Sequence, residues 1–275
     1  MSKVMEDYIS IFKDIHFHLR KMGRLISGIS FSEKDDKVEL YGLVSLNLCK
    51  QQTEAIYLLL EKKLYPSVLM LVRNIFESFF DFQWILRAET KEEKIERANQ
   101  LEGKSFNDIE KELNVMKEDS QSSDPIWKSE MYQDKEEFLE LLKTHYPELV
   151  IDIDGKKKFK EPKEHSFENR LNRMERLKFY SIYRFTSAFV HPSPLIRDVV
   201  LLREGSDKTP LQILEPHLYE ILDYCLFLIY GIANNLIKVL DSRIDSKKED
   251  INKILTGIFM RIKNSNAGLL INGAI

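Results

Sequence analysis

The stretch from 66 to 87, PSVLMLVRNIFESFFDFQWILR, constrains the fold more than any other. As a helix it is apolar almost all round, so it should be the central, buried helix. Pro66 suits its first turn, where a missing N–H costs nothing. Partners of similar length precede and follow it. Residues 4–28 place Ile9, Phe12, Ile15, Leu19, Met22 and Ile26 at three- and four-residue intervals, and 38–62 continue with Leu40, Leu43, Leu46, Ala55, Leu58 and Leu59. Residues 215–241 are again strongly apolar, and 246–264 are amphipathic. Only 10 glycines and 8 prolines punctuate the 275 residues. The chain is therefore expected to be all-α: a helical bundle of about five long helices, with a charged helical insertion and one or two short β-hairpins.

The insertion spans 89–165 within a single domain covering 1–275. Its apolar faces are thin, and short helical patterns cover 91–101, 105–118 and 134–144, which makes it peripheral. At its end IDIDGKKKFKEPKEH predicts a hairpin turning at Asp154-Gly155. That segment carries the most basic patch of the chain, Lys156, Lys157, Lys158, Lys160 and Lys163. A lysine run fits a solvated face, and it also fits local attraction for a polyanion. Further on, RDVVLLREGSDKTPLQILE predicts two short extended segments around EGSDK.

A formal net charge of −3 gives no overall nucleic-acid signature, so any such contact must be local. Cys49 and Cys225 both lie in apolar helical contexts and are expected as small core residues, not a disulfide. The first residues lack the apolar core of a signal peptide, and no run of about 18 uncharged apolar residues occurs. A cytoplasmic protein without a membrane span is the expectation. His16 and His18, two positions apart, point to different sides of the first helix and make a poor metal pair, and no metal or cofactor is expected.

Two polar features stand out from this apolar background. Arg73, Glu77 and Asp81 recur every four residues on a helix too apolar to be solvated, so they need partners; Arg73 and Glu77 can supply each other. In ENRLNRMERLKFYSIYRFTSAFVHPSP, residues 168–194, helical spacing puts Arg173, Arg176 or Leu177, Tyr180, Arg184, Ser187 and His191 on one face. Arg184 and His191 stand about two turns apart, roughly 10 Å of rise with little angular drift. Pro192 pushes His191 out of helical geometry, so the histidine should close the last turn at the negative end of the dipole. A guanidinium and an imidazole so aligned could hold a phosphate and move a proton. The same spacing also fits a solvated surface or a helix cap.

These motifs resemble a known superfamily. AIYLLLEKKLYPSVLMLVRNIFE, residues 55–77, looks like the paired second and third helices of HEPN proteins, and RFTSAFVH, 184–191, is similar to their Arg-x4–6-His motif. The two segments also resemble an uncharacterised bacterial family with Arg-x3-Glu early and Tyr-x3-Ser-x3-His late, matched by Arg73, Glu77, Tyr183, Ser187 and His191. The HEPN resemblance implies a homodimeric bundle with the motifs in a shared cleft, and metal-independent RNA cleavage by the ribose 2′-OH. His191 would then be the acid–base group and Arg184 the phosphate stabiliser. Ser187, Tyr183 and Tyr180 would assist, Arg73 and Glu77 would orient the site, and Lys156, Lys157, Lys158, Arg173 and Arg176 would bind RNA. Roles in antiviral defence or growth arrest, and a regulatory protein partner, follow from the same resemblance. Phe185 and Ser193 depart from the pattern, which carries Asn, Asp or His after the arginine and, in some toxins, a tyrosine after the histidine. Non-catalytic members bind RNA, nucleotides or protein with the same bundle, which is the alternative reading.

Overall fold

The computed structural model describes residues 2–121, 130–164, 166–189 and 210–264. The chain is all-α apart from one two-stranded hairpin. It divides into two compact units, Met1–Gln83 with Leu171–Ile275, and Trp84–Arg170.

The first unit contains α1 (Lys3–Ile26), α2 (Lys37–Glu61) and most of α3 (Tyr65–Leu86). Four of its helices close a ring. α1 packs on α2 and on the last helix, Lys248–Lys263, while the helix Pro210–Val239 packs on α2 and on that same last helix. Ser2 caps α1, its hydroxyl accepting from the Met5 N–H. The ring encloses the apolar stripes read from the sequence: Phe12, Ile15, Leu19 and Met22 of α1 are fully buried, as are Cys49 and Ile56 of α2. Cys49 and Cys225 are free thiols in this core, and burial pushes both above the ordinary thiol range.

α3 meets the ring through aromatic side chains laid over glycines. A Cβ on Gly42 of α2 would come within 2.7 Å of the Phe82 ring, and one on Gly231 within 2.5 Å of Phe79. Val68, Leu69, Val72, Ile75 and Phe76 are fully buried. One face of α3 stays near solvent nonetheless: Met70 is exposed, Asn74 beside it likewise, and Arg73 and Glu77 are only partly covered.

The helix expected over 168–194 is not continuous. α6 (Phe167–Arg173) ends in a Schellman motif: the Arg176 N–H donates to the Leu171 carbonyl (2.8 Å) and the Glu175 N–H to Asn172 (2.9 Å). Glu175 takes φ 57°, the left-handed conformation glycine usually supplies. Buried Leu171 and Met174 anchor this end in the core, and that packing overrides the helical periodicity. A 3-10 turn, Leu177–Phe179, then sets Phe179 against Phe80 (ring centroids 5.3 Å) and Tyr224 (5.9 Å). α7 (Tyr180–Ser187) follows and stops at Ser187, with Ala188 as its cap.

α8 (Pro210–Val239) begins earlier than expected, so Pro210 opens a helix where an extended segment was read. The remainder of the second expected hairpin lies outside the described residues. The stretch His217–Val239 is long and apolar enough to cross a bilayer, but 56% of its most apolar 18 residues are buried inside the bundle, which accounts for its apolarity. α9 (Lys248–Lys263) completes the ring.

The second unit is built on α4 (Lys91–Ser120), one helix where two short ones were expected. Gly103 is a contact point and not a break: a Cβ there would lie 2.4 Å from the Lys160 carbonyl oxygen. α5 (Glu130–His145) packs on α4, and both touch the hairpin. β1 (Val150–Ile153) pairs antiparallel with β2 (Lys156–Phe159), Ile153 facing Lys156 across the Asp154-Gly155 turn. Both turn residues have positive φ, 56° and 75°, as a two-residue hairpin of this hand requires. Leu113, Leu139, Leu149 and Phe159 form the core of the unit.

Candidate functional site

The packing of α7 on α3 supplies the partners that Arg73 and Glu77 need. They lie one turn apart on α3, and the Arg73 Nε donates to Glu77 Oε1 at 3.2 Å. α7 brings Tyr183 onto them. Arg73 Nη2 donates to the Tyr183 hydroxyl (3.1 Å), which in turn donates to Glu77 Oε1 (2.9 Å). The guanidinium also stands over the Tyr183 ring, 5.2 Å from its centroid. Each side chain of this triangle is paired with the other two, which is what makes charge tolerable on so apolar a helix.

The electrostatics follow from the geometry. Burial opposes the charge on Arg73, but Glu77 and Tyr183 outweigh it and raise its pKa. Burial, then the Glu77 carboxylate, raises the Tyr183 phenol, so that hydroxyl keeps its proton as a donor. Tyr180, one turn earlier, stacks on Tyr183 with centroids 5.9 Å apart. The Ser187 hydroxyl turns back and donates to the Tyr183 carbonyl (2.7 Å), and Thr186 donates to that carbonyl too (2.9 Å).

Arg184 sits in the last turn of α7 with its side chain exposed. His191 lies outside the described residues. Arg173 ends α6 and Arg176 precedes the 3-10 turn; both are exposed, and the break at Glu175 removes them from the helix that carries Arg184. In the second unit Lys156, Lys157 and Lys158 are exposed on β2 and line a cavity of about 600 Å³ with Asn107, Lys111 and Glu161. Among the described residues no group of three His, Cys, Asp or Glu side chains is placed to hold a metal ion.

The long-range polar contacts of the first unit escape sequence reasoning, among them Arg243–Asp36, Arg261–Asp14 and one between α1 and α8. The Tyr8 hydroxyl donates to Asp223 Oδ1 (2.5 Å), and the Tyr8 ring stacks on Tyr219 at 5.5 Å. Burial, with Glu220 nearby, pushes the Asp223 carboxyl up to about 6 although the Tyr8 hydrogen bond opposes the shift. Tyr8 and Asp223 are 215 positions apart, and neither spacing nor composition links them.

No curated protein and no solved structure matches the chain, and nothing in these comparisons points to the HEPN superfamily. A family model does match, over residues 43–208, a span that includes Arg73, Glu77, Tyr183, Ser187 and His191. The chain belongs to DUF5677, a family of unknown function.

Proposed function

We propose that this protein is a metal-independent endoribonuclease of HEPN type, acting as a homodimer in antiviral defence or growth arrest. The observation that supports the reading is the way α7 is held. The Arg73–Glu77–Tyr183 triangle fastens it to α3, leaving Arg184 exposed in its last turn. His191 follows Ser187 by four residues in the sequence. In this reading Arg184 stabilises charge on the scissile phosphate, and His191 takes the proton from the attacking 2′-OH or returns it to the leaving oxygen. The substrate supplies its own nucleophile, already placed next to the phosphate. Arg73 and Glu77 act through Tyr183 as positioning residues, and the lysines of β2 attract the RNA backbone.

The full chain incubated with total RNA in EDTA should leave 2′,3′-cyclic phosphate ends. His191→Ala should slow cleavage by roughly 100-fold or more, the usual worth of a general acid–base group. Absence of cleavage, or cleavage equal in the variant, would overturn the proposal. A second reading has an observation of its own: the hydroxyls of Tyr183 and Ser187 are both engaged internally, as in a scaffold. A non-catalytic module would bind RNA, a nucleotide or a protein partner and leave RNA intact in the same assay.

A further inference from the structure

Between α1, α2 and the loop that joins them the first unit holds an open cavity of about 780 Å³. That is within the range of about 300–1,000 Å³ typical of small-molecule sites. Its floor is apolar, with Leu19 and Leu46 buried and Leu43 and Phe31 partly so. Its polar lining is unbalanced. Arg20 and Arg24, one turn apart on α1, and Lys50 on α2 face a single carboxylate, Glu54. Glu54 in turn lies 4.0 Å from His16 Nε2, and Lys50 is engaged with Asn47 (2.6 Å). Arg20 and Arg24 have no ion-pair partner among the described residues. Arg24 in the last turn suits the helix dipole, but Arg20 one turn before it adds a like charge that repels it.

The space is unfilled by the described residues. Gly23 lies on the wall between the two arginines, and a Cβ added there would meet nothing within 4 Å. An apolar floor under a cationic rim is complementary to one kind of small molecule. We infer that this cavity binds a small organic anion with an apolar body, its phosphate or carboxylate head group held by Arg20, Arg24 and Lys50. Bidentate contacts from guanidinium to such a head group are strong and directional, and the apolar body would cover Leu19, Leu43, Leu46 and Phe31. The site is independent of the nuclease reading.

Anilinonaphthalene sulfonate, itself an apolar anion, is the probe. With the full chain its fluorescence should rise to saturation at one-to-one stoichiometry and be reversed by octyl phosphate or octanoate; the stronger competitor identifies the head group. Octanol and octylammonium should compete poorly. Replacing Arg20 and Arg24 together by alanine should weaken binding by about 10-fold or more, as loss of charge-assisted contacts does. Gly23→Phe should abolish binding without lowering the thermal midpoint, because the ring enters empty space and glycine is the poorer residue inside a helix. Failure to saturate, equal competition by octylammonium or octanol, binding unchanged in folded Gly23→Phe, or displacement by single-stranded RNA alone would each overturn the inference.

Discussion

The two units of this chain divide their stability differently between apolar burial and ion pairs. The first is a ring of long helices around a continuous interior, with Phe12, Ile15, Leu19, Met22, Phe76 and Phe82 all at 0% exposure. The second rests on Leu113, Leu139, Leu149 and Phe159, ringed by partly buried Phe106, Ile109, Leu142, Tyr146 and Val150. Around that small core run ion pairs between elements: Lys143–Glu110 (2.8 Å), Lys160–Glu96 (2.7 Å), Lys117–Glu136 (2.5 Å) and Lys135–Glu112 (3.3 Å). Apolar burial is not subject to Debye screening, whereas partly exposed ion pairs are weakened by it. The first unit has such pairs too, Lys13–Glu61, Arg243–Asp36 and Arg261–Asp14, but they border a far larger apolar interior. It should therefore respond to ionic strength less than the second, which should open more readily as ionic strength rises.

The hardest blow to that contrast is a truncation in each core. Phe82→Ala removes a fully buried ring seated on Gly42, and should cost about 3–5 kcal/mol of unfolding free energy in denaturant titration. Phe159→Ala removes a comparable ring, 2% exposed, from the smaller core. Hydrogen exchange should show protection lost in Trp84–Arg170 for Phe159→Ala and in α2 and α8 for Phe82→Ala. Equal loss throughout the chain in both variants would mean that the units do not behave separately. Next in size is Gly103→Val. Its branched side chain would be forced into the Lys160 carbonyl, and overpacking of this kind costs about 1–3 kcal/mol.

Gly103 also shows where sequence reasoning stops. Glycine lowers helix propensity, so the pattern there reads as two short helices; the close approach of Lys160 that makes the glycine necessary is a long-range fact. Glu175 is the opposite error. Its neighbours keep a helical period from 168 to 191, and a glutamate gives no stop signal, yet buried Leu171 and Met174 turn the chain there. Local chemistry that fixes its own geometry was legible: the apolar stripes of α1 and α2, the Asp154-Gly155 turn, and the pairing of Arg73 with Glu77 one turn away. Of the site, the triangle was half legible. The Arg–Glu half follows from i, i+4 spacing, but the arrival of Tyr183 depends on the path from α6 to α7, which periodicity misread. The Tyr8–Asp223 contact, joining α1 to α8, left no trace in either segment.

A smaller effect tests the ion-pair side of the comparison. Lys143 is 8% exposed and donates to Glu110 and to Glu140 (3.0 Å), with its ammonium over the Phe159 ring. Both carboxylates keep contact with water, so removing the lysine leaves no stranded charge. Lys143→Ala should cost about 1–2 kcal/mol, well below the penalty for breaking a fully buried pair. Lys143→Met keeps the stem and should lose less. In both variants the salt sensitivity of the second unit should fall; if it stays at the level of the unchanged protein, screening acts elsewhere.

The smallest expected effect concerns charge where the first unit has little use for it. Asp223 has its carboxyl raised from 3.8 to about 6, first by burial and then by Glu220, against the hydrogen bond from Tyr8. A folded state that holds the proton more tightly than the unfolded chain gains most from protonation. The contribution is therefore complete below pH of about 4 and disappears as pH rises through about 6, the reverse of an ordinary ion-paired carboxylate. Because the group is partly exposed, solvent screening reduces the loss to on the order of 1 kcal/mol. Denaturant midpoints of the first unit measured between pH 4 and 7 should decline over that window, and in Asp223→Asn the decline should flatten. Hydrogen exchange in Trp84–Arg170, corrected for the intrinsic pH dependence of exchange, should not follow the same curve. If it does, protonation at Asp223 is felt beyond the unit that houses it, and the division of the chain by type of stabilisation fails at this residue.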